Sequence, residues 1–157
     1  MPEIHIYTDG SALGNPGPGG YGIIIEWVGK GYTKEFSRGF KHTTNNRMEL
    51  WAVIDGLEKL KKKPMDVLVI SDSKYVIEAV DKKWVFGWQK KNFKGKKNPD
   101  LWKRFLKIYS LHNVKFQWVK GHNDHPQNER CDQLAVTAAK EMAIEEDTYY
   151  EQMAQKA

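Results

Sequence analysis

The chain carries a single cysteine, Cys131, among 157 residues. One cysteine makes no intramolecular disulfide, and no Cys/His spacing suits zinc, so a fold stapled by either is excluded. A reducing, cytoplasmic setting is the expectation. Long apolar runs are also missing, and no stretch is long enough to span a bilayer. The opening Met-Pro-Glu-Ile-His lacks the basic start and apolar run of a signal peptide. No internal repeat is visible. Acidic residues are scarce where basic ones are dense: Lys82 to Arg104 holds nine Lys or Arg against one acid, Asp100. Glu141 to Glu151 reverses this, with five acids and no base. What is present is the composition of one globular domain with one core: 40 % hydrophobic and 29 % charged residues. The net charge of +5 favours a polyanionic partner, and its concentration in one segment favours it further.

Hydrophobic periodicity divides the chain. Glu3 to Tyr7 alternates and predicts a strand. Residues 14–20, Gly-Asn-Pro-Gly-Pro-Gly-Gly, predict a turn or loop. Tyr21 to Val28 and Tyr32 to Phe40, separated by the Gly29–Gly31 break, predict two more strands, and the three together an antiparallel meander. The period then changes: Leu50, Val53, Ile54, Leu57 and Leu60 fall at helical spacing, predicting a helix over 47–61. Val67 to Ile70 is a continuous apolar run, the pattern of a strand buried on both faces. Residues 73–80, 99–111 and 127–142 predict helices, and Val114 to Val119 a fifth strand. Residues 1–142 form the expected domain, with an acidic tail at 143–157. The expected architecture is α/β, one mixed five-stranded sheet combining an antiparallel meander with parallel strands, and helices on both faces.

Four acids stand out by position. Asp9 ends the first strand, Glu49 lies early in the long helix, Asp72 follows the buried strand, and Asp132 lies in the last helix. Functional groups in sheet-based folds gather where strands end and helices begin, so these acids can meet. Carboxylates held close together repel and need cations. All-oxygen ligation suits Mg²⁺ or Mn²⁺, and two such ions about 4 Å apart can activate water and stabilise the leaving oxygen of a phosphodiester. Each acid also has a plainer reading: Asp9-Gly10 as a turn, Asn46 with Glu49 as a capping box, Asp72 as a helix cap, Asp132 as a solvated helix residue. Spacing alone leaves both readings open.

Five ordered motifs bear on that choice. They are Tyr7-Thr8-Asp9-Gly10-Ser11 with Gly14-Asn15-Pro16-Gly17-Pro18-Gly19-Gly20-Tyr21-Gly22; Thr43-Thr44-Asn45-Asn46-Arg47-Met48-Glu49-Leu50; Ser71-Asp72-Ser73 followed by Tyr75; Trp118-Val119-Lys120-Gly121-His122; and Asn128-Glu129-Arg130-Cys131-Asp132-Gln133-Leu134-Ala135. In order and spacing they resemble the type 1 ribonuclease H family, most closely its bacterial single-domain members, over about residues 4 to 142. The resemblance implies the ribonuclease H-like fold and an endonuclease that cuts the RNA strand of an RNA–DNA hybrid, leaving 5′-phosphate and 3′-hydroxyl ends. It implies that Asp9, Glu49, Asp72 and Asp132 bind metal, two Mg²⁺ ions with substrate, with Mn²⁺ able to substitute. One ion would be held by Asp9, Asp72 and Asp132, the other by Asp9, Glu49 and substrate oxygens. His122 matches a loop histidine that aids proton transfer or product release, while His125 matches a structural position.

Substrate contacts follow from the same resemblance. Asn45 and Asn46 would meet the RNA strand, where sensing 2′-hydroxyls requires neutral donors and acceptors. Asn15 and Thr44 match a pocket for a DNA phosphate. Residues 82–97 resemble a basic handle, with Lys90 and Lys91 for phosphates and Trp88 and Phe93 for the DNA strand. Trp84 and Trp102 are expected in the core. The chain departs from the pattern at His42 (often Arg), at Phe93 (often Trp), in a handle shortened between Phe93 and Asp100, and at Lys74 (often Gln), which can bind phosphate. A monomer is expected. The competing reading is a non-catalytic hybrid-binding module, which leaves the four acids unexplained.

Overall fold

The structure, a computed structural model, describes residues 2–121 and 125–156. The three expected early strands form as β1 (Ile4–Ala12), β2 (Gly17–Trp27) and β3 (Tyr32–Thr43), paired antiparallel in a meander. Helix α1 (Asn45–Glu58) then leads to β4 (Asp66–Ser71), which pairs parallel with β1. α2 (Lys74–Asp81), α3 (Trp84–Lys90) and α4 (Pro99–Tyr109) follow, and β5 (Asn113–Trp118) pairs parallel with β4. α5 (Pro126–Glu141) completes the expected set, to which α3, inside the basic handle, is an addition. Ile4, Ile6, Ile23 and Ile25 bury one face of the sheet against Met48, Leu50, Val53, Ile54 and Leu57 of α1, with Trp102 and Phe105 of α4 behind them. Tyr7, Ile24 and Ile70 face the other way and pack on Cys131 of α5. Helices therefore cover both faces, and each fully buried Leu, Ile or Phe contributes about 1.5–3 kcal/mol.

The sheet has six strands rather than five, in the order β5-β4-β1-β2-β3-β6. β6 (Ala143–Glu145) pairs parallel with the far side of β3. It is three residues long and half of its neighbourhood is acidic, so no alternation announced it. Its anchors are charges. Arg38 of β3 grips Glu145 through Nε at 2.9 Å and Nη2 at 2.6 Å. Just beyond, Asp147 is 1 % exposed and accepts from Arg47 Nε at 2.7 Å and Thr43 Oγ1 at 2.7 Å. Arg47 also binds Asp100 at 2.7 Å, so one guanidinium joins α1, the start of α4 and the C-terminal segment. Helix α6 (Thr148–Lys156) follows. The acids at 141–151 are thus partly counter-charges for buried arginines.

Two further differences concern aromatic residues. Trp84, expected in the core, is 48 % exposed, and Lys82 Nζ lies 5.1 Å from its ring centroid; Val85 takes the buried position instead. The first residues after α2 turn through Lys83 at φ 63°, which shifts the helical face by one position. Trp102 is fully buried, as expected.

Glycines decide how closely the helices approach. Gly22 pairs with Asp9, and Gly20 pairs with Gly39 across β2 and β3. A Cβ at Gly22 would lie 2.5 Å from Leu134 Cβ, and one at Gly20 2.6 Å from Ala138 Cβ. On the other face a Cβ at Gly10 would lie 2.5 Å from the Glu49 nitrogen. These are separations that packed side chains do not tolerate, so α5 and the start of α1 come down on the strands only because these positions are bare.

Removing one partner of a buried ion pair typically costs about 3–5 kcal/mol, and because Asp100 remains to hold Arg47 the lower end applies here. Asp147→Ala is therefore expected to lower stability by about 3 kcal/mol in urea unfolding at neutral pH. A loss below about 0.5 kcal/mol, the usual range for surface changes, would show that the C-terminal segment does not depend on Arg47.

Candidate active site

The four acids arrive from separate elements. β1 and β4 run parallel with Tyr7 beside Ile70, and the same register continued two residues sets Asp9 level with Asp72. β1 does not turn at Asp9-Gly10 but continues to Ala12. Thr44, not Asn46, caps α1, its hydroxyl accepting from Arg47 N at 3.2 Å, so Glu49 is not held in a capping box with Asn46. Ser73, not Asp72, caps α2 by accepting from Val76 N at 3.3 Å. The plainer roles are therefore filled by neighbours. Asp9, Glu49 and Asp72 place carboxylate oxygens within 4.8 Å of one another. Asp132, carried on α5 over the bare Gly22, lines the same cavity, whose volume is about 430 Å³.

The electrostatics of this cluster are unfavourable without a cation. Asp9 is 6 % exposed, and burial, followed by the charge of Asp72, pushes its carboxyl up to about 8. Burial, then the charges of Asp9 and Asp72, holds Glu49 well above the usual carboxylate range. Glu49 Oε1 is buried and has no hydrogen-bond partner among the described residues. Three carboxylates with one orphaned oxygen form a donor set that fits a hard divalent cation. A larger cavity, about 970 Å³, lies at the opposite end of the sheet beside Trp27, Tyr32 and Leu60. It is more apolar but offers no such carboxylate cluster, so the chemistry belongs to the smaller one.

The other expected site residues divide. Asn45, Asn46 and Lys74 line the carboxylate cavity. Asn15 Oδ1 accepts from Asn45 N at 2.9 Å, and Asn45 Oδ1 accepts from Ala12 N at 2.5 Å. These bonds draw Asn15, Thr44 and Asn45 together at one end of β1. Lys90 and Lys91 are exposed, and Trp88 is half-buried, edge-on to Trp102 with ring centroids 5.7 Å apart. Phe93 departs from expectation: it is 5 % exposed and belongs to the core, so its ring is not offered to a substrate. Phe93 lies at φ 59° in a tight return, and its burial anchors the handle. His122 lies outside the described residues. His125 caps α5, its Nδ1 accepting from Asn128 N at 3.2 Å.

Several contributors were not singled out from sequence. Tyr75 lines the cavity, and its hydroxyl accepts from Trp102 Nε1 at 3.0 Å and Asn98 Nδ2 at 2.9 Å, tying the cavity wall to the base of the handle. Trp118 Nε1 donates to the Asp72 carbonyl at 3.0 Å. At Gly121 a Cβ would lie 2.8 Å from Asp72 Oδ2. The signal for these was their place within the motifs, but side-chain partners 23 to 49 residues away leave no periodic trace.

Fold and site together define a class: an α/β protein whose mixed sheet gathers carboxylates for a divalent metal at the ends of β1 and β4. The RNase H family model matches residues 1–140. A ribonuclease H of Desulforamulus reducens is 55 % identical over 146 residues, 90 % of each chain. The ribonuclease HI of Shewanella oneidensis is 52 % identical over 153 residues, 94 % of each. Among solved structures, LC9-RNase H1, a type 1 RNase H with the type 2 active-site motif, is similar at a TM-score of 0.79 and 34 % identity, over 88 % of this chain and 72 % of that one. LC11-RNase H1, solved in complex with RNA/DNA hybrid, is similar at a TM-score of 0.67 and 32 % identity, over 88 % and 98 %. The chain belongs to the RNase H family.

Because folding raises the Asp9 pKa, the native state gives up stability as pH climbs from the ordinary carboxylate range towards about 8. Neutralising the residue removes that penalty. In metal-free protein at pH 7.5, Asp9→Asn is expected to raise stability by about 1–2 kcal/mol, roughly 2–8 °C in Tm, with the gain fading as pH falls to 4. An unchanged or lower Tm at pH 7.5 would contradict the strained cluster.

Proposed function

We propose that the protein hydrolyses the RNA strand of RNA–DNA hybrids, leaving 5′-phosphate and 3′-hydroxyl ends. The observation that carries this reading is the meeting of Asp9, Glu49 and Asp72 within 4.8 Å in a cavity that Asp132 also lines. Family membership and the hybrid bound by LC11-RNase H1 support the substrate. Asp9, Asp72 and Asp132 would hold one Mg²⁺, and Asp9 and Glu49 a second, with Mn²⁺ as a substitute. When bound, such ions acidify a water nucleophile and compensate charge on the departing oxygen.

The chain's own residues supply the rest. Asn45 has its side-chain oxygen engaged by Ala12 N, which leaves its amide N–H groups to donate to the RNA strand. Asn46, exposed at the cavity, offers both a donor and an acceptor to a 2′-hydroxyl, the group that separates RNA from DNA. Asn15 and Thr44, drawn together with Asn45, would receive the DNA phosphate. Lys90 and Lys91 contribute sequence-independent attraction, and Trp88 packs against the DNA strand. Gly121 passes against Asp72, and we assign proton handling to the next residue, His122. All four acids come from one chain, so no second copy is needed to complete the site, and our reading is of a monomer acting in the cytoplasm.

An end-labelled hybrid incubated with Mg²⁺ or with EDTA tests the reading, with single-stranded RNA, double-stranded RNA and duplex DNA in parallel. Cleavage of the hybrid's RNA strand alone, and only with metal, is expected. Asp72→Asn should cut the rate by more than about a hundredfold while preserving circular dichroism, since even outer-shell changes at metal sites cost about 10–100-fold. Full activity in that variant would overturn the metal assignment, and metal-independent binding without cutting would favour a binding module. Replacing Lys90 and Lys91 by alanine should lower the slope of log Kd against log salt by about 2.

A further inference from the structure

Trp118 closes β5, is 44 % exposed, and touches two residues that line the carboxylate cavity, Asp72 and Lys74. A tryptophan this open adds little to the core, and two of its surfaces are committed to the site. Its indole N–H donates to the Asp72 carbonyl at 3.0 Å. Its ring face lies beneath the Lys74 ammonium, 5.1 Å from the centroid. The chain beyond it keeps to Asp72: Val119 N donates to Ser71 O at 3.0 Å, and Gly121 lies against the carboxylate. The exit from β5 therefore grips Asp72 by its backbone while supporting the side chain two residues further on.

Lys74 is an unusual occupant of its position. It is the first residue of α2, where the helix macrodipole disfavours a cation. Glu78, one turn along, already pairs with Lys82 at 2.6 Å. Lys74 is nonetheless the one cation among the described residues that line the cavity, which it shares with Asp9, Glu49, Asp72 and Asp132. A cation held there by an aromatic face is fixed in direction, whereas a free lysine samples many rotamers and spends entropy on each contact.

We propose that Trp118 is a positioning residue for phosphate recognition. It holds Asp72 and Lys74 in one fixed relation, so that Lys74 meets a non-bridging oxygen of the RNA-strand phosphate seated over the carboxylates. This inference rests on the hybrid-cleaving reading above. It explains the exposed tryptophan, the cation at a helix N-terminus and the bare Gly121 by one arrangement.

The test separates the two arms of Trp118. Hybrid Kd is measured in EDTA across NaCl concentrations, and kcat with Mg²⁺, for the wild type, Lys74→Gln, Trp118→Phe, Trp118→Leu and the Trp118→Leu/Lys74→Gln double variant. Lys74→Gln is expected to weaken binding about fivefold at low salt and to lower the salt slope by about 1. Trp118→Leu should weaken binding about threefold, and the double variant should bind no more weakly than Lys74→Gln alone, because the ring acts through the lysine. Trp118→Phe, which keeps an aromatic face but loses the N–H, should leave the salt slope unchanged and lower kcat about fivefold. Independent, multiplying effects of Trp118→Leu and Lys74→Gln on Kd would overturn the proposal, as would wild-type kcat in Trp118→Phe. A wild type that fails to cut hybrid would instead overturn the proposed function, so the two failures are told apart.

Discussion

The structure turns on holding negative charges together against their own repulsion. Asp9, Glu49 and Asp72 keep their oxygens within 4.8 Å in a partly buried cavity, where unscreened carboxylates cost several kcal/mol. Packing on both faces of the sheet supplies the restraint. Gly10 admits the start of α1 to β1, and Gly22, paired with Asp9, admits α5 from the other side. The parallel pairing of β1 with β4 brings Asp72 alongside. No acid is placed by its own hydrogen bonds alone; each is placed by the element that carries it. A fold that accepts such strain needs a cation to relieve it, and a polyanionic substrate then needs the same cation.

Much of this was legible in sequence. The meander, the buried Val67–Ile70 strand and the helices at 47–61, 99–111 and 127–142 all follow from period, because each buries one face. The four acids were visible by their place at strand ends and helix starts. Their convergence was not, since spacing leaves Asp72 as good a cap as Ser73 and Asn46 as good a cap as Thr44. Only the motif resemblance favoured convergence, and the caps in the structure show why both readings fitted. The misses have a common cause. β6 is anchored by Arg38 and Arg47 rather than by an apolar stripe. Trp84 and Phe93 exchange their expected exposures because backbone turns at positive φ, at Lys83 and at Asn92 and Phe93 itself, reset which face looks inward. Charge anchors and left-handed turns interrupt periodicity and leave little trace in it.

The handle and the C-terminal segment extend the same logic outward. Tyr75 ties the cavity wall to Asn98 and Trp102 at the handle's base, and Arg47 ties Glu49's helix to Asp100 and Asp147. The basic surface that attracts a nucleic acid and the carboxylates that act on it are therefore parts of one braced body. On the proposed function, substrate bound along Lys90, Lys91 and Trp88 would reach the cavity in a defined register, which is how a site without base readout selects the shape of its partner.

The most direct measurement is a Mn²⁺ titration followed by electron paramagnetic resonance, with and without a non-cleavable hybrid. Wild-type protein should deplete the free Mn²⁺ signal, more so with hybrid present, and Glu49→Gln and Asp9→Asn should each weaken that depletion at least about tenfold. Undiminished binding in both variants would mean that the buried carboxylates hold no metal, and the central claim would fail.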